Sequence, residues 1–141
     1  LDWCVLAADT VVVVDKVVFE KPKDIHDAEK MLKKMSARTH EVITGYCWAG
    51  AYRGKARELV SSVKTRVRFA DRPQEFWKWY VSTKEPMDKA GAYAAQGIGM
   101  SFIEHVNGSY SNVVGLPLAQ VIDSFKKCFG VCIDECFRKS S

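Results

Sequence analysis

The chain is organised around one glycine-rich stretch, Asp88-Lys89-Ala90-Gly91-Ala92-Tyr93-Ala94-Ala95-Gln96-Gly97-Ile98-Gly99. Its glycines disfavour a regular helix or strand and let the main chain pass close to a ligand. The stretch also carries an acid, a base and an amide, which a site for a charged, hydrogen-bonding ligand needs. By itself it is equally compatible with a tight surface loop whose polar side chains are merely solvated.

Length and composition predict one domain that spans residues 1–141. The chain has 141 residues, of which 48% are hydrophobic, enough for a substantial core. Its longest apolar runs, Trp3 to Ala8 and Val11 to Val14, are far shorter than the roughly 20 residues that cross a bilayer. No membrane association is therefore expected. The first residue is Leu rather than Met and no signal-peptide pattern follows, so we expect a missing N-terminus.

Charge and cysteine usage narrow the class of protein. The net charge is +4 and the basic residues are dispersed, which fits one bound anion better than a nucleic-acid surface. Five cysteines without zinc-knuckle spacing indicate reduced thiols in a cytoplasmic protein. Cys128, Cys132 and Cys136 recur every four residues, but no His lies nearby, so buried or surface thiols are favoured over a metal site.

Before the glycine-rich stretch, the pattern predicts strands and one helix. Asp2–Ala8 is expected to be a strand covered on both faces, followed by a second strand, Val11–Val14. Asp9 stands between them, and a carboxylate there must be hydrogen-bonded, paired, metal-bound or exposed at a cleft, unless it only caps a local kink. Further elements are a short strand before Lys21-Pro22, a helix capped by Asp24, and two long strands, His40–Trp48 and Glu58–Phe69.

The second half predicts alternating helices and strands. Asp71-Arg72-Pro73-Gln74 resembles a capping box that begins a helix. After the glycine-rich stretch we expect a strand, Met100–Val106, a hairpin turn at Asn107-Gly108, and a returning strand, Ser109–Val114. A last helix is expected to end near Gly130 and to face inward through Leu118, Val121, Ile122 and Phe125. The interleaved elements predict an α/β domain with a mixed sheet flanked by helices.

Five ordered motifs resemble the Maf family of nucleotide pyrophosphatases over residues 5 to about 126. They are Ala8-Asp9-Thr10, Lys21-Pro22, Thr39 to Gly45, Asp88 to Gly99, and Gly108 to Pro117. The family's Ser-x-Ser-Pro-Arg-Arg loop, which precedes these motifs and serves the phosphates, is absent. Residues 129–141 would form a C-terminal extension.

The resemblance implies a fold related to the inosine-triphosphate pyrophosphatases and a homodimer. It also implies hydrolysis of nucleoside triphosphates, including non-standard ones, to the monophosphate and pyrophosphate with a divalent metal, Mg²⁺ or Mn²⁺. Asp9 would accept a proton, Lys21 would contact phosphate, and Lys89 would lie beside the site. Asp88 is a candidate second ligand for metal or water. Because the phosphate loop is absent, we expect little or no turnover, and a catalytically impaired nucleotide-binding or regulatory module is the alternative.

Gln96, together with Thr10, is the candidate for recognising the base. A side-chain amide offers a donor and an acceptor, which match the N3 donor and O4 acceptor of uracil or thymine. The family branch similar to this chain has Gln at this position, whereas the branch for 7-methyl-GTP resembles Ser-Glu-Gly-Leu-Gly there. The resemblance therefore implies dTTP, UTP or modified pyrimidine nucleotides as substrates. Alternatively, Gln96 only ties down the glycine-rich loop.

Overall fold

The computed structural model describes residues 1–138, which form a five-stranded sheet in the order β2-β1-β3-β4-β5. The strands are β1 Trp3–Val14, β2 Val17–Phe19, β3 Thr39–Tyr52, β4 Lys55–Phe69 and β5 Ile103–Asn107. The α-helices are α1 Ile25–Met35, α2 Gln74–Ser82, α3 Tyr110–Val114 and α4 Leu118–Phe129. Among the described residues no helix is both long enough and apolar enough to cross a membrane.

The predicted α/β class with helices against a sheet is confirmed. The sheet is not mixed within residues 1–138, because all four strand pairs are antiparallel. Two of the pairs are joined by tight turns, at Asp15-Lys16 and Arg53-Gly54, all with positive φ. A short turn can only reverse the chain, so it produces antiparallel neighbours.

The first strand differs from its prediction in two ways. Trp3–Val14 is one continuous strand rather than two, and Asp9 interrupts nothing. Its first half is not covered on both faces, since Trp3 and Val5 are 54% and 56% exposed. β3 pairs with β1 from Trp3 to Val13, whereas β2 pairs only at Val12 to Val14. An apolar pattern predicts the strand but does not specify what packs on it.

Helices α1 and α2 and the glycine-rich stretch share one hydrophobic cluster with the sheet, which includes Val12, Val42, Val67 and Phe69. The predicted cap of α1 is confirmed, because the Asp24 carboxylate accepts a hydrogen bond from the Asp27 amide at 2.8 Å. The glycine-rich stretch is therefore held against the sheet by buried apolar side chains.

The capping box predicted at the start of α2 does not form. Pro73 occupies the N-cap position and no side chain caps the helix, which begins at Gln74. Arg72 instead donates to the carbonyl of Ser101 from Nε and Nη2, at 3.1 and 2.8 Å. A tertiary contact therefore holds this segment where a local capping box was expected.

The segment after Asn107-Gly108 is helix α3 and not the predicted returning strand. The Ser109 hydroxyl accepts from the Asn112 amide at 3.2 Å and caps the helix. Thr65 of β4 binds the Ser109 backbone on both sides, accepting from its amide and donating to its carbonyl at 3.2 Å each. The preceding strand is also shorter than predicted, because Gly97–Phe102 forms a 3₁₀ helix and β5 begins at Ile103.

Helix α4 packs on the other end of the same sheet. Trp48 donates from Nε1 to the Val121 carbonyl at 3.0 Å, and Val121, Phe125 and Phe129 are buried. Leu118 and Ile122 do not face inward as predicted, since they are 53% and 47% exposed. Gly130 ends the helix as expected, with φ +79°. Of the predicted extension, residues 139–141 lie outside the described residues, and Phe129 belongs to the core.

Candidate active site

A cavity of about 270 Å³ lies where the glycine-rich stretch crosses the edge of β1. Its walls come from segments that are far apart in the sequence: Ala8, Asp9, Thr10 and Val12 of β1, Lys21, Val42 of β3, residues of the glycine-rich stretch from Asp88 to Gln96, and Val113 to Gly115. The fold thus brings all six candidate site residues to one cavity: Asp9, Thr10, Lys21, Asp88, Lys89 and Gln96.

Thr10 ties β1 to two other walls of the cavity. Its hydroxyl lies 2.7 Å from the Thr44 hydroxyl and donates to the Gly115 carbonyl at 3.0 Å. Since the Thr10 proton is used on Gly115, Thr44 supplies the proton of the other bond. With both bonds in place, Thr10 can offer a ligand only an acceptor.

Asp9 and Lys21 are both exposed at the cavity. Asp9 is the neighbour of Thr10 in β1, and alternation places the two side chains on opposite faces of the strand. Asp9 and Thr10 nevertheless both line the cavity, because β2 pairs only with Val12 to Val14 and leaves this part of the β1 edge uncovered. Within residues 1–138 neither the Asp9 carboxylate nor the Lys21 ammonium group makes a hydrogen bond or ion pair. Both groups are therefore available to a ligand.

Asp88 and Lys89 form an ion pair at the mouth of the cavity. The Lys89 Nζ lies 3.8 Å from the Asp88 Oδ2, and the two side chains are 48% and 75% exposed. Exposed pairs of this kind contribute little to stability, because water screens them and the side chains remain free to move. Either group can exchange its partner for a ligand at small cost.

Two glycines of the stretch make close approaches that another residue could not make. Gly91 has φ +73°, and a Cβ there would lie 2.9 Å from the Val12 side chain. At Gly99 a Cβ would lie 2.0 Å from the Ala94 carbonyl oxygen. The Gly91 amide also donates to the Glu20 carbonyl at 3.1 Å. Close contacts that only glycine can make therefore hold the glycine-rich stretch against β1 and against itself.

The sequence reasoning missed the group that holds this loop. The Glu85 carboxylate accepts from the Ile98 and Gly99 amides at 3.2 and 3.1 Å, and from the Tyr80 hydroxyl at 3.2 Å. In the described part of the chain the Gln96 side chain makes no hydrogen bond. The only local signal was an acid before Pro86, close to a glycine-rich loop with amides to satisfy.

Comparison with known proteins identifies the family. The family model described as Maf-like protein matches residues 2–128. The chain belongs to the Maf-like family.

Several curated relatives carry the name dTTP/UTP pyrophosphatase. The protein from Anaeromyxobacter sp. (strain Fw109-5) is 51% identical over 124 residues, which are 87% of this chain and 60% of that protein. The Pyrococcus furiosus protein is 42% identical over 118 residues, 84% of this chain and 60% of that protein. The Syntrophus aciditrophicus protein is 45% identical over 125 residues, 89% and 60% respectively. The Maf-like chain thus spans about 60% of the length of these relatives.

A buried imidazole supports the cavity wall of this Maf-like chain. His40 is 2% exposed, and its Nε2 lies 2.8 Å from the hydroxyl of Tyr93, which lines the cavity. Burial lowers the pKa of His40 to about 4, so the ring is neutral at pH 7. Burial likewise raises the pKa of the Tyr93 hydroxyl, which remains protonated. The two uncharged side chains therefore link β3 to the glycine-rich stretch through a buried hydrogen bond.

The carboxylates of the Maf-like cavity suit a metal that arrives with a phosphorylated ligand. Asp9 and Asp88 both line the cavity, but residues 1–138 contain no group of three or more His, Cys, Asp or Glu side chains able to hold a metal ion. Mg²⁺ is usually bound by one or two carboxylates together with substrate phosphates and water. The oxygen donors present fit that arrangement.

Proposed function

We propose that this chain is a nucleoside triphosphate pyrophosphatase. It would hydrolyse dTTP, UTP and modified pyrimidine nucleotides to the monophosphate and pyrophosphate. The observation that carries the proposal is the convergence of two carboxylates, two lysines and an unbonded amide from separate segments on one cavity. The names of the relatives support the same reaction and the same bases.

Each group has a task in cleaving the bond between the α and β phosphates. Attack on the α phosphorus needs an oriented water, a proton acceptor and positive charge on the leaving pyrophosphate. Asp9 would accept the proton, since its exposed carboxylate has no partner in the described residues. Lys21 and Lys89 would act as compact charges on phosphate oxygens. Lys89 would exchange Asp88, now 3.8 Å away, for phosphate.

A divalent cation, Mg²⁺ or Mn²⁺, would be held by Asp88; in the alternative in which Asp9 holds the metal instead of taking the proton itself, both carboxylates would bind it. When bound, such an ion neutralises phosphate charge and helps to orient the reacting groups. The protein's own contribution is to place the two carboxylates on one cavity, at the edge of β1 and at the start of the glycine-rich stretch.

Gln96 would select the base. Its side chain is exposed at the cavity, so its donor and acceptor are free for the N3 and O4 edge of uracil or thymine. Thr10 would contribute as an acceptor, since its proton is committed to Gly115. A carboxylate at position 96 would offer acceptors only.

One observation favours the alternative of a nucleotide-binding module with impaired catalysis. The only basic side chains that line the described cavity are Lys21 and Lys89. A nucleoside triphosphate carries about four negative charges at neutral pH, so two ammonium groups leave much of that charge uncompensated. Such a cavity would hold a nucleotide weakly and stabilise a leaving pyrophosphate poorly.

The assembly and location complete the proposal. A homodimer is expected from the family resemblance, and a cytoplasmic location from the number and spacing of the cysteines. All five cysteines are free thiols, which supports a reducing compartment.

The deciding experiment measures binding and turnover of the same sample. The chain is mixed with dTTP, UTP, GTP or 7-methyl-GTP and Mg²⁺ or Mn²⁺; calorimetry measures binding, and monophosphate and pyrophosphate are quantified separately. Equal release of the two products from dTTP or UTP supports the pyrophosphatase. Binding without release favours the impaired module. Absence of both binding and release contradicts both functions.

A further inference from the structure

We propose that Glu85, acting with Tyr80, is the positioning residue that sets the location of Gln96 and thereby the discrimination between bases. Neither residue would touch the nucleotide. The inference rests on the proposed function, because it concerns how that site chooses its substrate. It gives a role to an acid that no step of the hydrolysis uses.

The two side chains hold the loop on both sides of Gln96. On the N-terminal side, the Ala94 amide donates to the Tyr80 hydroxyl at 3.1 Å. On the C-terminal side, the Ile98 and Gly99 amides donate to Glu85 Oε2 and Oε1. Tyr80 in turn donates to Glu85 at 3.2 Å, so both anchors form one unit.

The loop between these anchors has little conformational freedom. A Cβ at Gly99 would lie 2.0 Å from the Ala94 carbonyl oxygen, so the two ends of the loop are in backbone contact. Gly97 adopts φ +76°, and a Cβ there would lie 3.1 Å from Glu85 Oε1. Gln96 therefore projects from a closed turn, and the Glu85 carboxylate packs against the backbone of that turn.

The chemistry of this anchor requires a carboxylate. Three donors converge on Glu85, and only a group with acceptors on both oxygens satisfies all of them. Tyr80 is fully buried, and burial raises the pKa of its hydroxyl, which stays protonated as a donor. A glutamine at position 85 would keep the size but place an N–H group against a backbone or hydroxyl donor.

The test compares Glu85→Gln and Tyr80→Phe with Glu104→Gln. Glu104 is an exposed acid on β5, 3.6 Å from Arg68, and it serves as the matched control. Amide hydrogen exchange at Ile98 and Gly99 reports the Glu85 anchor, exchange at Ala94 reports the Tyr80 anchor, and calorimetry with dTTP, UTP and 7-methyl-GTP reports discrimination. Loss of one such bond should lower the preference for dTTP and UTP roughly tenfold and speed exchange at the amides that the lost group accepted from. The control should change neither quantity.

A double variant sharpens the test. Because Tyr80 and Glu85 share a hydrogen bond, their combined effect on discrimination should be smaller than the product of the single effects. Faster exchange with unchanged discrimination would overturn the inference while leaving the proposed function intact. Unchanged exchange would also overturn it.

Two further outcomes have to be distinguished: a parent chain that binds no nucleotide, and a variant that does not fold. If the parent chain binds no nucleotide, the proposed function is wrong and the inference falls with it. If Glu85→Gln does not fold, Tyr80→Phe carries the test, and loss of fold in both would assign the pair to the core instead of to the site.

Discussion

The two ends of β1 have similar sequences and different surroundings. At one end, Val12 and Val13 pair with both β2 and β3, and Val12 and Val14 are buried. At the end with Trp3 and Val5, the strand is paired with β3 only, and both side chains are more than half exposed. Asp9 lies between the two ends.

This difference shows where a site can form on an otherwise apolar strand. The covered end supplies a fixed wall, because Val12 is in contact range of Gly91. The open end leaves strand-edge groups and side chains accessible to water and ligands. Asp9 and Thr10 occupy the boundary, where a polar group can be both held and exposed.

The largest expected effect comes from Asp9→Asn at this boundary. In a form of the chain that hydrolyses dTTP or UTP, removing the proton acceptor should lower turnover about 10²- to 10⁴-fold. The free energy of unfolding should stay nearly constant, since the exposed carboxylate has no hydrogen bond in the described residues. Steady-state kinetics and urea unfolding measure the two quantities. Asp71→Asn, an exposed acid outside the cavity, is the control, and activity of Asp9→Asn within a few fold of the parent would contradict the assignment.

Acid should lower the free energy of unfolding, because the buried His40 ring stays neutral in the folded chain. An unfolded chain takes up a proton on this imidazole below about pH 6.5, whereas the folded chain resists it until the pKa of about 4. The unfolded state therefore binds more protons in this window, and the free energy of unfolding should fall by about 3 kcal/mol as pH drops from 6.5 to 4.

Urea unfolding at several pH values measures the effect of His40. His40→Gln should be less stable at pH 7 but should lose less stability in that window than the parent. His105→Gln, at an exposed position on β5, should keep the parent's slope. Equal slopes for the parent and His40→Gln would show that the buried ring is not the cause.

A pair of identical substitutions compares packed and exposed strand positions directly. Val67→Ala in the buried cluster should lower the free energy of unfolding by about 2 kcal/mol, through lost burial and a residual cavity. Val5→Ala on the open end should change it by less than about 0.5 kcal/mol. Equal losses in chemical unfolding would mean that Val5 is covered in solution.

The smallest expected effect is a change of preference at Gln96. Gln96→Glu replaces a donor by an acceptor, so the preference for dTTP or UTP over 7-methyl-GTP should fall roughly tenfold. A nucleotide panel with kcat/KM for each substrate measures it, with Gln120→Glu as an exposed control on α4. Equal loss for all nucleotides would leave Gln96 without a role in specificity.

Local patterns in the sequence predicted much of the fold. Asp24 caps α1 as expected, because capping depends on neighbours three residues apart. Ser109 to Val114 did not follow its hairpin signal, since Thr65 and the Ser109 cap outweigh Asn107-Gly108. The exposure of Trp3 could not be predicted, because it depends on what packs against the strand.

For the candidate site, motif order was more informative than local pattern. The candidate residues line one cavity, but their chemical roles are still predictions. Glu85 was missed because its importance comes from three tertiary partners and not from its neighbours in sequence. The buried partner of Tyr93, His40, was missed for the same reason.

The closed turn around Gln96 has a consequence for the timing of binding. Its anchors join residues only 5, 13 and 14 positions apart, so closing it costs little chain entropy. We therefore expect the turn to form before a ligand arrives, so that encounter does not wait for it to order. Nucleotides that differ in affinity should therefore associate at similar rates and differ mainly in how long they stay bound.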